Sequence, residues 1–121
     1  MATIKSYTDL KQSKVLSKIL SDESADMYWW YNGQKYYVET IEHNDFQKRD
    51  IHCWSLAALL SVLPKHIGSS VLRMNMSEND FNLWFEDLSG TVDEILPDIT
   101  KYNPIDACYE MILKLNKLKM L

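Results

Sequence analysis

Behind Ser6-Tyr7-Thr8-Asp9, apolar residues Leu10, Val15, Leu16, Ile19 and Leu20 recur at helical spacing, which predicts a first helix starting near Ser6 or Thr8. Ser6 and Asp9 have the spacing of a capping box, with an acid in the first turn. Ser21-Asp22-Glu23-Ser24 ends that helix, and the pattern then changes to runs of strand-forming residues. Met27-Tyr28-Trp29-Trp30-Tyr31 and Lys35 to Ile41 flank Asn32-Gly33, a pair suited to a type I′ turn because both central residues need positive φ. A two-residue loop there pairs Tyr31 with Gln34, Trp30 with Lys35, Trp29 with Tyr36 and Tyr28 with Tyr37. One face of this hairpin then carries Met27, Trp29, Tyr31, Tyr36 and Val38, and is assigned to the core. The other carries Tyr28, Trp30, Lys35, Tyr37 and Glu39, aromatic but mixed with charge.

A polar connector, His43 to Asp50, leads to Ile51-His52-Cys53-Trp54 and a second helix over Leu56–Leu63, with Ser55 as N-cap. Pro64 stops it, since the residue before proline avoids the α region. This helix is apolar nearly all round, which predicts that it is the central and most buried one. In the next hairpin Leu72, Met74 and Met76 alternate with Arg73 and Asn75, and Phe81, Leu83 and Phe85 alternate with Asn82 and Glu86. Trp84 falls on the polar face, and Leu88 to Tyr102 reads as irregular. The last helix opens with Asn103 as N-cap, Pro104 at its first position and Asp106 in its first turn. Ile105, Cys108, Ile112, Leu115 and Leu118 form its apolar stripe, and Lys114, Lys117 and Lys119 suit the negative end of its dipole. The order is α-β-β-α-β-β-α, an α+β fold. Two antiparallel hairpins join in one sheet with about three helices packed on it, as a single domain over residues 1–121.

With 121 residues and 46% hydrophobic content, the chain is long enough to bury one core without staples. A net charge of −4 favours solubility and argues against a nucleic-acid backbone as partner. Nothing behind Met1-Ala2-Thr3-Ile4-Lys5-Ser6 has the apolar length of a signal sequence. The longest apolar run, Leu56 to Leu60, is far too short to span a bilayer. From these features a cytoplasmic protein with no membrane partner is expected.

Candidate chemistry is sparse. Cys53 and Cys108 are too far apart in sequence for a close-spaced metal pair, and read as buried free thiols. His43, His52 and His66 show no metal-binding spacing, so neither a metal nor a cofactor is expected. Cys53-Trp54-Ser55 at a helix start has the shape of an activated nucleophile, because a helix N-terminus favours thiolate. His66 and Asn103 follow it in the chain order of papain-like proteases, which gives a small cysteine-dependent hydrolase as one alternative. The glycine-rich run that precedes that family's nucleophile is absent.

The concentration of Trp and Tyr in the first hairpin is the other informative feature. Packing within the protein explains much of it, but Trp and Tyr also anchor interfaces. The leading expectation is a non-enzymatic interaction or accessory domain that binds a protein partner or itself through Tyr28, Trp30, Lys35 and Tyr37. A small-ligand or carbohydrate platform on the same face is a further alternative. Single-stranded nucleic acid would need a basic track, and Lys35 is the hairpin's lone cation.

Glu23 to Tyr31, Cys53-Trp54-Ser55 through Pro64, Leu96-Pro97-Asp98-Ile99 and Asn103 through Cys108 together carry a resemblance. The chain resembles a family of small hypothetical proteins from anaerobic gut bacteria and their phages or other mobile elements, over about Tyr7 to Leu115. In those relatives a proline often stands where His52 stands here, and Cys53 is not fixed, which weakens a catalytic reading of Cys53. The resemblance implies a domain of unassigned function and transfers no site residues.

Overall fold

The computed structural model describes residues 5–41, 50–90 and 96–121. The connector over 43–49 and part of the irregular stretch, 91–95, lie outside the described residues. The fold is α+β. It divides into two compact units, Ser6–Val62 and Met1–Lys5 with Leu63–Leu121.

In the Ser6–Val62 unit, helix α1 spans Leu10–Leu16. Its N-cap is Asp9, whose carboxylate accepts from the Gln12 backbone N–H at 2.8 Å while the Gln12 side chain accepts from the Asp9 N–H at 3.1 Å. The capping box therefore lies three residues later than the Ser6/Asp9 spacing suggested. The reason is that Tyr7 and Thr8 are taken up by sheet-like pairing. Tyr7 bridges to Ser55, and the Thr8 N–H donates to the Trp54 carbonyl at 2.9 Å.

The sheet of this unit has the order β2-β1-β3, all antiparallel, from β1 (Met27–Tyr31), β2 (Tyr36–Thr40) and β3 (Ile51–Cys53). The β1–β2 register pairs Tyr31 with Tyr36, Trp30 with Tyr37, Trp29 with Val38 and Tyr28 with Glu39. It is displaced by two residues from the type I′ expectation. Asn32 acts from the flank of the loop: its side-chain oxygen accepts from the N–H groups of Gln34 and Lys35, and its own N–H donates to the Lys35 carbonyl. The loop residues are Gly33 and Gln34, and of these only Gly33 has positive φ (101°), the pattern of a type II′ turn. Because the displacement is an even number, every side chain keeps its predicted face.

Helix α2 spans Leu56–Val62, with the Ala58 N–H donating to Ser55 Oγ. Asp26 secures this cap by accepting from both the N–H and the hydroxyl of Ser55. Only Ala58 and Leu59 of α2 are buried, so it is not the central helix. Its apolar character comes partly from alanines, and Ala57 and Ser61 line an open groove with Ser21, Glu23, Ser24, Ala25 and Asp26.

In the other unit a four-stranded antiparallel sheet has the order β4-β5-β6-β7: His66–Ile67, Ser70–Met76, Phe81–Asp87 and Ile99–Lys101. The β5–β6 register pairs Leu72 with Phe85, Met74 with Leu83 and Met76 with Phe81, as the alternation predicts. The hairpins thus belong to separate sheets, each completed by short strands close to it in sequence. Strand β7 falls in the stretch read as irregular. The Asn82 side chain fastens it by donating to the Ile99 carbonyl, Asp98 and Thr100.

Helix α3 (Pro104–Lys117) begins as predicted, with Asn103 Oδ1 accepting from the Asp106 N–H at 2.9 Å. Packed on β6 and β7, it buries Ile105, Ala107, Cys108, Met111, Ile112 and Leu115, and is the most buried helix. Its fourteen residues sustain a 3.6-residue stripe that α2, at seven, is too short to present.

Candidate interaction surface

Each face of the β1–β2 hairpin has a different fate along its length. At the end near Met27, the predicted core face meets the segment leading into α1. The Trp29 indole N–H lies 3.2 Å from both the Thr8 carbonyl and Ser13 Oγ, and the Tyr7 ring packs edge-on against it at 5.8 Å. Helix α1 is short, and Tyr31 and Tyr36 at the turn end of the same face are 44% and 38% exposed. Their rings meet at a centroid distance of 5.0 Å. Both were assigned to the core from the alternation. Their place beside the turn was the signal that they extend past the covering helix.

On the second face Tyr37 is 37% exposed and stacks on half-buried Trp30 at 5.2 Å, while Lys35 Nζ lies 5.0 Å from the Tyr37 ring centroid. The Trp30 indole N–H is buried with no hydrogen-bond acceptor among the described residues. Tyr28, between Glu39 and His52 in the sheet, is only 7% exposed and is not available for contact. The structure therefore brings together Trp30, Lys35 and Tyr37 of the four residues singled out in the sequence. Tyr31 and Tyr36 stand exposed on the opposite face at the same end of the hairpin, and Tyr28 is buried.

Cys53 lies in β3, in extended backbone rather than at a helix start, and is fully buried. Its thiol donates to the Thr8 carbonyl at 3.4 Å and accepts from the Thr8 hydroxyl at 3.5 Å. Burial raises its pKa above the ordinary thiol value, against the weaker opposing pull of the Thr8 and Ser13 hydroxyls. The neighbouring His52 projects to the opposite face of the strand. A protonated, sealed thiol cannot serve as a nucleophile. In Cys108, burial outweighs the nearby Lys65 and pushes the pKa up to about 12. Neither cysteine should react with iodoacetamide at neutral pH while the protein is folded, and both should react in denaturant. Labelling of the native protein at the rate of a free thiol would contradict this environment. The pH dependence follows in sign: Cys108 stays protonated in the fold while the unfolded thiol ionises. Its contribution is thus fully present below the unfolded value near 9 and is lost as pH rises toward 12.

A cleft of about 560 Å³ lies between the end of α1 and the start of β3, lined by Lys14, Ser17, Lys18, Asp22, Asp50, Ile51 and His52. His52 Nδ1 stands 3.6 Å from Asp22 Oδ1. The two lysines and two aspartates offset one another, so the cleft has no net preference for an anion or a cation. No group of three or more potential metal ligands occurs among the described residues, and no described helix is long and apolar enough to cross a membrane.

Comparison of the chain with family models, with curated proteins and with solved structures found no match.

Proposed function

We propose that this chain is a non-enzymatic protein-interaction or accessory domain, cytoplasmic and of mobile-element origin, whose contact surface is the turn end of the first hairpin. One observation carries this reading: the turn end presents partly exposed aromatic rings on both faces of the hairpin, Tyr31 against Tyr36 on one and Tyr37, stacked on Trp30 beside Lys35, on the other. Exposed aromatic rings held against one another lose little side-chain freedom on binding and bring large apolar area, which suits them as anchors. A partner of polypeptide chemistry fits a surface that mixes ring faces, phenol hydroxyls and one cation. The test is capture from a native-host lysate on immobilised protein, read by mass spectrometry, with Lys35→Ala/Tyr37→Ser as the comparison bait. A specific protein retained by the wild type and lost by the double variant is expected. Equal capture by both baits, or none by either, would remove this surface as the contact.

A further inference from the structure

Strand β2 is an edge. Among the described residues it pairs only with β1, and its outer main-chain groups have no partner strand. Their phase can be read from the hydrogen bonds at both ends of the hairpin. Asn32 donates to Lys35 and Ile41 donates to Asp26, so residues in step with Lys35 and Ile41 turn their main-chain groups toward β1. Tyr37 and Glu39 are in that set. Tyr36, Val38 and Thr40 turn theirs outward. The strand carries neither proline nor bulge, devices that commonly blunt such an edge.

We propose that the outer edge of β2 pairs antiparallel with β2 of a second copy of this chain, about a dyad at Tyr37. This rests on the reading of the hairpin as an interaction surface and names the partner and the register. An antiparallel pair of copies must set outward-turned residues opposite outward-turned ones, so a slip by one residue is forbidden. Three dyads meet that condition near the strand centre. A dyad at Val38 sets Tyr37 opposite Glu39 and Lys35 opposite Ile41. One at Tyr36 sets Lys35 opposite Tyr37 and Glu39 opposite Gly33. The dyad at Tyr37 sets Lys35 opposite Glu39 twice and Tyr36 opposite Val38 twice, so both charges are neutralised and the apolar side chains meet across the seam. Tyr36 and Val38 then exchange main-chain hydrogen bonds with each other's copies. Lys35 and Glu39 fall at positions without hydrogen bonds between them, where opposed side chains come closest. The result is one continuous sheet, β3-β1-β2-β2-β1-β3, with the Tyr37 rings side by side on one face.

Charge reversal tests the register. Lys35 and Glu39 are both exposed, so each variant should keep the wild-type fold, checked by circular dichroism. Sedimentation equilibrium should show a concentration-dependent dimer, and Lys35→Glu or Glu39→Lys alone should weaken it about tenfold by opposing like charges at both ends of the seam. The double variant should restore it. An equimolar mixture of the two single variants should form heterodimers, seen by native mass spectrometry, because each chain then supplies what the other lacks. Tyr37→Cys should cross-link to itself under mild oxidation, since Cα atoms across such a site lie within disulfide range, whereas Thr40→Cys should not. A chain that stays monomeric up to the order of 1 mM, where association falls to about 4 kcal/mol, overturns the proposal. So does a dimer indifferent to the signs of residues 35 and 39. Loss of a captured protein with Lys35→Ala/Tyr37→Ser in a chain that remains monomeric would overturn the self-pairing alone and leave the interaction reading standing.

Discussion

Replacing Trp54 with alanine should cost about 3–5 kcal/mol, a large share of the stability of a domain this size. Trp54 is fully buried and immediately follows β3. Its indole N–H donates to Ser24 Oγ at 2.9 Å, its backbone N–H donates to Thr8 Oγ1 at 3.1 Å, and its carbonyl accepts from the Thr8 N–H at 2.9 Å. Alanine preserves the backbone bonds but removes the largest fully buried side chain among the described residues and leaves a cavity behind it. Trp54→Phe should fall between, filling much of the volume without the hydrogen bond to Ser24. Urea unfolding monitored by circular dichroism reads the difference as a shift in midpoint at unchanged slope. A loss below about 1 kcal/mol for the alanine variant would mean that the ring does not anchor this unit.

The second large effect is expected at Thr8, a fully buried polar residue just before α1. Its hydroxyl accepts from the Trp54 N–H, lies 2.8 Å from Ser13 Oγ, and reaches the Cys53 thiol. Thr8→Val keeps the shape and removes the hydroxyl, so the Trp54 N–H is left buried without its acceptor. The cost should be about 1–3 kcal/mol. Thr8→Ser, which keeps the hydroxyl and loses one methyl, should cost about 1 kcal/mol. If the valine variant proves the milder of the two, packing rather than hydrogen bonding holds Thr8 in place.

Local chemistry made parts of this fold legible. The start of α3 follows from Asn103, Pro104 and Asp106, each of which acts within its own turn. The second hairpin follows from alternation on both strands, interrupted only at Trp84. The first hairpin was legible in its faces but not in its register, because Asn32 uses its side chain to hold two backbone N–H groups instead of entering the loop. Strands β3, β4 and β7 have three residues or fewer, too few to show a period. The burial of α2 was misjudged because Leu56, Leu60 and Val62 are only half-buried and Ala57 and Ser61 are exposed along an open groove. The candidate surface was legible as an aromatic cluster. Tyr31 meets solvent because it lies beside the turn, beyond the reach of the short α1, whereas Tyr28, between Glu39 and His52 in the sheet, is covered by packing that the alternation within the hairpin does not show.

The even displacement of the first hairpin bears on how such a segment tolerates change in length. Its two sides obey a parity rule. Gaining or losing a pair of residues at the loop slides one strand along the other and keeps Trp29 and Val38 on the covered side and Tyr37 on the open side. A single-residue insertion within β2 would invert everything beyond it, turning an aromatic ring or a charge into the space that Val38 occupies. A single residue added at the loop, where a three-residue turn can absorb it, should therefore be tolerated far better than one added inside β2.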